Sequence, residues 1–254
     1  MRLNYLEITF MSTPRTVIIT GASSGLGFAL AQAFLERGDN VVGNARTEAR
    51  LNEAAARLGN PANFVGVAGD IAEKATAERL FATAQAAFGR VDILVNNAGI
   101  FIPKPVTDYT EADVDALVGT NLKGFFYPAQ AAARVMKQQG HGHIIAITAS
   151  VALQPDTRVP ALLPVLVKGG LNQAVKGLAL ELAASGVQVN AVAPGIIETP
   201  LHGGQVEGLG ALSPSGRVGK PEDVVDAVLY LTDARFVSGV ILPVDGGSTA
   251  GTWH

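Results

Sequence analysis

Cysteine is missing from this chain of 254 residues, and charged residues make up only 16% of it and aromatic residues 6%. Without cysteine there is no disulfide framework and no thiolate chemistry. The scarcity of charge goes with 48% apolar residues, so the low hydropathy and high net charge of a disordered chain are both absent. Nineteen basic against twenty-two acidic side chains leave a net charge of −3, which argues against broad electrostatic capture of nucleic acid. No apolar run reaches the roughly 18 residues that a membrane span needs. Met1–Phe10 lack the apolar core and cleavage site of a secretory leader, and Met11-Ser12 offers an alternative start. Residues 1–13 are therefore expected to be a disordered extension, and the protein is expected to be cytoplasmic, with no nucleic-acid or membrane partner. No repeat, low-complexity tract or long linker divides the rest, so residues 14–254 read as one domain. Glycine, by contrast, is abundant at 29 residues, and its placement is informative.

Short apolar runs alternate with helical patterns along the whole chain. Val17–Ile19, Val41-Val42, Phe64–Val67, Ile93–Val95, His143–Thr148, Val187–Val192 and Val240–Val244 read as strands. Between them, Leu26–Arg37, Glu48–Leu58, Ala72–Phe88, Ala112–Val118 running on through Ala129–Met136, Leu162–Leu182 and Glu222–Leu231 read as helices. Strands that are apolar on both faces and alternate with helices of this length form a parallel sheet covered on both sides. Seven strands, with a glycine-rich turn after the first, favour an α/β doubly wound sheet of Rossmann type over a barrel.

That turn is Thr20-Gly21-Ala22-Ser23-Ser24-Gly25-Leu26-Gly27. Glycines between a first strand and a first helix let backbone N–H groups approach a pyrophosphate, and the helix N-terminus adds partial positive charge. Gly21, Ser23, Ser24, Gly25, Leu26 and Gly27 are thus candidate cofactor contacts, in a GxxxGxG rather than GxGxxG spacing. An acid at the end of the second strand would bind a ribose 2′-hydroxyl, whereas an arginine would accept a 2′-phosphate. Here the strand end reads Gly43-Asn44-Ala45-Arg46, with arginine present and the acid absent. Arg46 is either that phosphate ligand or a solvated surface residue, and the first reading makes NADP(H) the expected cofactor.

With Thr20–Gly27, Gly69-Asp70-Ile71, Asn96-Asn97-Ala98-Gly99, Thr120-Asn121-Leu122, Asn190–Gly195 and Asp245-Gly246-Gly247 in view, the chain resembles the short-chain dehydrogenase/reductase family from Thr13 to Ser248. The resemblance implies that Asp70 accepts from the adenine amino group with the Ile71 backbone beside it, and that Asn97, Ala98 and Gly99 line the adenine ribose. It also implies that Pro194, Gly195 and Ile197 sit by the nicotinamide, with Thr199 near the carboxamide or pyrophosphate. Plainer readings stand beside these: Asp70 as a helix N-cap, Asn97 as a tie between strands, and Thr199-Pro200 as a helix start. The family's habit of assembly implies a homo-oligomer, dimer or tetramer, through the helices around Ala112–Met136 and Leu162–Leu182.

The family's chemistry uses Ser, Tyr and a Lys four residues after the Tyr, assisted by Asn. Lys168 matches the Lys and Asn121 the Asn, but Pro164 stands four residues before Lys168, and no tyrosine lies between Tyr127 and Tyr230. Proline has no proton to give, although it fits the first turn of a helix. Strict register puts Ala149 at the family's Ser position, with Ser150 one residue late; Ser150 is the candidate site residue or a turn residue. The remaining proton sources are Lys168 itself, water held by Asn121, Asp156, Arg158 or His202, and the expected arrangement has Lys168 on the nicotinamide ribose with water delivering the proton. Hydride transfer to or from a small carbonyl, alcohol or imine is the expected activity. An NADP(H)-binding pseudoenzyme, acting as sensor or scaffold, is the alternative, and a non-redox step on a bound substrate is the third. Glycines 203, 204, 208 and 210 suit a substrate lid over residues 199–217. His141 and His143 invite a metal reading, but no third ligand stands near in sequence, so a solvated turn is expected and no metal. Phe125-Phe126-Tyr127 is expected in the core or at a subunit interface.

Overall fold

The computed structural model describes residues 13–200 and 208–251. The expected N-terminal extension, apart from Thr13, and positions 201–207 of the expected lid, with His202, lie outside the described residues.

Seven strands form one sheet: β1 (Thr16–Ile19), β2 (Asn40–Ala45), β3 (Phe64–Ala68), β4 (Ile93–Asn96), β5 (Gly142–Ile147), β6 (Val187–Pro194) and β7 (Ile241–Val244). Their order is β3-β2-β1-β4-β5-β6-β7, and each neighbouring pair runs parallel. Each strand's side chains alternate between two apolar layers, as the period of two dictates. Ile18, Leu94 and Ile144 face α3 (Lys74–Phe88), α5 (Gly124–Gln139) and α6 (Leu162–Leu182). Val17, Ile19, Val95 and Ile145 face α1 (Gly25–Glu36) and α7 (Pro221–Asp233), with the end of α2 (Glu48–Arg57) packing at the margin. Because both faces are covered, the strands read as continuous apolar runs.

One expected helix is two. α4 (Glu111–Leu117) gives way to a π-helical segment, Val118–Lys123, before α5 begins at Gly124. Thr110 and Asp113 form a capping box that fixes the start of α4. The π segment buries one side chain, the polar Asn121. In the phenylalanine pair, Phe125 is core and Phe126 is exposed.

The sheet changes direction at β1, which hydrogen-bonds to β2 on one side and to β4 on the other. The turns that leave β1 and β4 therefore diverge, and a crevice opens at their carboxyl ends, the place where open α/β sheets bind ligands. The glycine turn and Asn97-Ala98-Gly99 both stand there.

Candidate active site

The glycine turn is a rigid, tied structure. Gly21 and Gly25 have φ values of +69° and +54°, which side-chain-bearing residues rarely adopt. A Cβ on Gly27 would run into the Gly21 carbonyl, so only glycine lets α1 close onto the turn. Asn97, from the end of β4, locks the turn from the side: its Nδ2 donates to the Thr20 carbonyl at 2.9 Å and the Gly21 carbonyl at 3.3 Å. Thr20 answers through Oγ1, which accepts from the backbone N–H of Asn97 and of Ala98, both at 3.0 Å. The plainer reading of Asn97, a tie between strands, is thus realised, and the tie shapes the glycine turn itself. Ser24 heads α1 without a side-chain capping bond, so it leaves the first amides of the helix free of that internal acceptor.

Along the crevice on the β2 side, Arg46 is exposed and makes no ion pair or hydrogen bond among the described residues. The neighbouring strand end is set by Asn44, whose buried Nδ2 donates to the carbonyls of Val67 and Gly69 at 3.1 Å each. Asp70 is exposed, and its Oδ1 accepts from the Ala72 amide at 2.9 Å, while the N-cap of α3 is Glu73. Asp70 is therefore a local turn-former and not the helix cap. Ile71 is buried beneath it.

On the other side, β6 delivers Pro194 and Gly195. A Cβ on Gly195 would approach the Asp245 backbone to 2.9 Å, which fixes this turn against the end of β7. Ile197 is buried and bridged to Gly219, and Thr199 returns to the glycine turn, where its Cβ would lie 3.5 Å from a Cβ on Gly25. Thr199 and Gly25, distant in sequence, are neighbours across the crevice.

The candidate catalytic residues gather at the ends of β4 and β5. Asn121 grips the Ile100 backbone from both ends of its amide, Oδ1 accepting from N at 2.8 Å and Nδ2 donating to O at 2.9 Å. Lys168 projects from the buried face of α6, one turn after Pro164, and its Nζ donates to the Ile147 carbonyl at 2.8 Å. No carboxylate pairs with it among the described residues, and burial alone pushes its ammonium from the usual 10.5 down to about 8. Gly99 connects the two groups: a Cβ there would lie 3.1 Å from Asn121 Oδ1 and 3.3 Å from Lys168 Nζ. Gly99 is itself exposed, so the ammonium sits just below the crevice floor.

Pro164 is the third residue of α6, where the backbone N–H has no intrahelical partner to lose, so the helix accepts it without strain. Ser150 opens a short 3₁₀ turn, Ser150–Ala152, which packs on α6, and Ala149 precedes it in extended conformation. Asp156 is held by Arg158 at 2.6 Å, which lowers its carboxyl and raises the guanidinium. His141 bonds Asp92 at 3.0 Å at the opposite end of the sheet, and no metal-binding cluster occurs among the described residues. Three contributors escape a reading by residue type: the Thr20 hydroxyl, the Asn44 amide and the Ile147 carbonyl. Only Thr20, directly after the first apolar run, carried a signal in the sequence.

The family model described as enoyl-(acyl carrier protein) reductase matches residues 21–249. L-rhamnose 1-dehydrogenase (NAD(P)(+)) of Azotobacter vinelandii is 38% identical over 92% of this chain and 96% of its own. The 3-oxoacyl-[acyl-carrier-protein] reductase of Escherichia coli is 34% identical over the same shares. Among solved structures, 3-ketoacyl-(acyl-carrier-protein) reductase from Brucella melitensis complexed with NADH superposes with a TM-score of 0.86 at 31% identity, covering 92% of this chain and 98% of that one. ElxO with NADP bound superposes with a TM-score of 0.87 at 26% identity, covering 94% of this chain and all of that one. The dehydrogenase and the two reductases among them are oxidoreductases by name, and the matches span the turn, the crevice and the sheet described above. The chain belongs to the short-chain dehydrogenase/reductase family.

Proposed function

We propose that this protein is an NADP(H)-dependent oxidoreductase that moves hydride to or from a small carbonyl, alcohol or imine substrate. The observation that carries this reading is a single crevice holding the glycine turn, Arg46 without a partner among the described residues, and the buried Lys168. The cradle fits a dinucleotide: the turn is kept open by glycines, and the head of α1 offers amides to a pyrophosphate. In this reading Gly21 to Gly27 hold the pyrophosphate, Arg46 the 2′-phosphate, Asp70 and Ile71 the adenine, and Asn97, Ala98 and Gly99 the adenine ribose. Lys168 binds the nicotinamide ribose, Pro194, Gly195 and Ile197 flank the ring, and Thr199 takes the carboxamide or pyrophosphate. The bound nicotinamide supplies or accepts the hydride. Neighbours bear NADP in one case and NADH in another, and the Arg46 guanidinium beside the end of β2, unpaired among the described residues, favours the phosphorylated form here.

Pro164 stands where the family's tyrosine is expected, so proton delivery is non-standard, with Asn121 and Ser150 as the other site residues. The same proline supports a second reading, an NADP(H)-binding protein without turnover that acts as a sensor or scaffold. Assembly as a dimer or tetramer is supported by exposed Leu122, Phe126, Leu162 and Leu166 on the helices named for it. Fluorescence titration with NADPH and NADH, followed by a carbonyl and imine panel, tests the reading. NADPH is expected to bind at least ~10-fold more tightly, about 1.4 kcal/mol, and to support turnover. Absence of binding by either nucleotide overturns the reading, and binding without turnover selects the second one.

A further inference from the structure

We infer that Lys168 Nζ is the proton donor of this site, a role that rests on the oxidoreductase reading above. Of the other candidate donors, the structure argues against Asp156 and Arg158, and His202 lies outside the described residues. Asn121 bonds the Ile100 backbone through both Oδ1 and Nδ2, and its amide has no ionisable proton of its own to give. Asp156 is chelated by Arg158 through contacts of 2.6–3.1 Å, so its carboxyl is ionised and has no proton to give. The same pair holds the guanidinium protonated. Pro164, one turn before Lys168 on the same buried face, carries no ionisable group.

Nζ has the remaining attributes. It spends one N–H on the Ile147 carbonyl at 2.8 Å and retains two further donors. It lies 3.3 Å from the position of a Cβ on exposed Gly99, so the glycine leaves no side chain between the buried ammonium and the surface at that point. No charge opposes its ionisation change. β6 and the Ser150–Ala152 turn carry no ionisable side chain. Glu111, Asp113 and Asp115 of α4, Lys123 of the π segment, and Arg134 and Lys137 of α5 do not figure among the causes of its shift, which is burial. A group that titrates near 8 changes protonation state close to working pH, as a general acid should.

In the reductive direction the carbonyl carbon gains hydride from the nicotinamide, and the C=O π pair moves onto oxygen. That oxygen takes a proton from Nζ, and the neutral amine regains one from solvent. The balance is carbonyl plus NADPH plus H⁺ giving alcohol plus NADP⁺.

The test combines titration of the amine with kinetics. Competitive labelling of the cofactor-free protein across pH 6–11, read by mass spectrometry, is expected to place the Lys168 midpoint near 8. At saturating NADPH, the single-turnover reduction rate is expected to fall as pH rises through that same midpoint, which a purely ribose-binding lysine would not cause. Lys168→Arg keeps the charge but cannot titrate in this range. It should retain NADPH affinity within about threefold and lose reduction by at least ~100-fold. Lys168→Met, checked for folding by thermal melting, should lose reduction as well, whereas His202→Gln should keep the pH break.

A labelling midpoint in the ordinary lysine range overturns the inference. So does reduction that survives in Lys168→Arg, or a pH break that disappears in His202→Gln. Each of these leaves the oxidoreductase reading standing. Failure of the unmodified protein to bind NADPH overturns that reading instead, and binding without turnover of any panel substrate overturns both.

Discussion

Lys168 gives up stability for its position, and Lys168→Met should recover part of it. The fall of its pKa from 10.5 to about 8 measures the disfavour of a charged amine in a buried setting, about 3 kcal/mol in differential terms. Methionine removes that term but also removes the Nζ bond to the Ile147 carbonyl, whose loss costs about 1–2 kcal/mol. The net expectation at pH 7, without cofactor, is a stabilisation of about 1–2 kcal/mol, or roughly 3–6 °C in melting temperature for a domain of this size. The pH dependence has a defined sign. The folded-state pKa is depressed, so between about 8 and 10.5 the unfolded chain binds more protons than the folded one. Wild-type stability therefore gains on the variant as pH rises through that window, and the penalty is in full force only below it. Thermal and urea unfolding of both proteins at pH 7 and pH 10 measures the two gaps. A Met variant that is less stable than wild type at pH 7, or a gap that is the same at both pH values, refutes the reasoning.

Three other perturbations address the rest of the crevice. Arg46→Ala should weaken NADPH binding by about 10–100-fold, the worth of one or two charge-assisted contacts, while NADH affinity changes little in parallel titrations. Asn97→Ala removes two donors that hold the glycine turn and should lower stability by about 1–3 kcal/mol in urea unfolding, with weaker binding of both nucleotides. Pro164→Tyr places a phenol one turn before Lys168 and should raise carbonyl reduction tenfold or more, about 1.4 kcal/mol in barrier. No gain in steady-state rate would refute the expectation that a phenol at this position outperforms the Lys168 ammonium as the acid.

Much of this architecture was legible because burial writes itself into composition. Val17–Ile19 and Ile93–Val95 are apolar on both faces since α-helices cover both sides, and the strands begin and end within a residue or two of those runs. The glycine turn was legible for a steric reason: Gly27 tolerates no side chain against Gly21. What stayed hidden depends on hydrogen bonds between segments far apart in the chain. Periodicity cannot reveal that Asn97 reaches Thr20 and Gly21, or that Asn44 gathers the ends of β2 and β3. The break between α4 and α5 escaped for a related reason, since a π segment keeps the residue types of a helix and alters only its phase.

That phase has a consequence for insertions and deletions. Each residue advances an α-helix by roughly 100°, so a single residue gained or lost rotates everything beyond it by that amount relative to what came before. The Val118–Lys123 segment absorbs such an offset, letting α4 and α5 each present its apolar face inward while Asn121 turns toward Ile100. Removing one residue, Gly119 for example, would allow a continuous α-helix and a smoother hydrogen-bond ladder. It would also swing either the Asn121 amide away from the loop after β4 or the core face of α5 away from the sheet. The irregular stretch thus sets the angular register between two helices, and a shorter, more regular one would lose it.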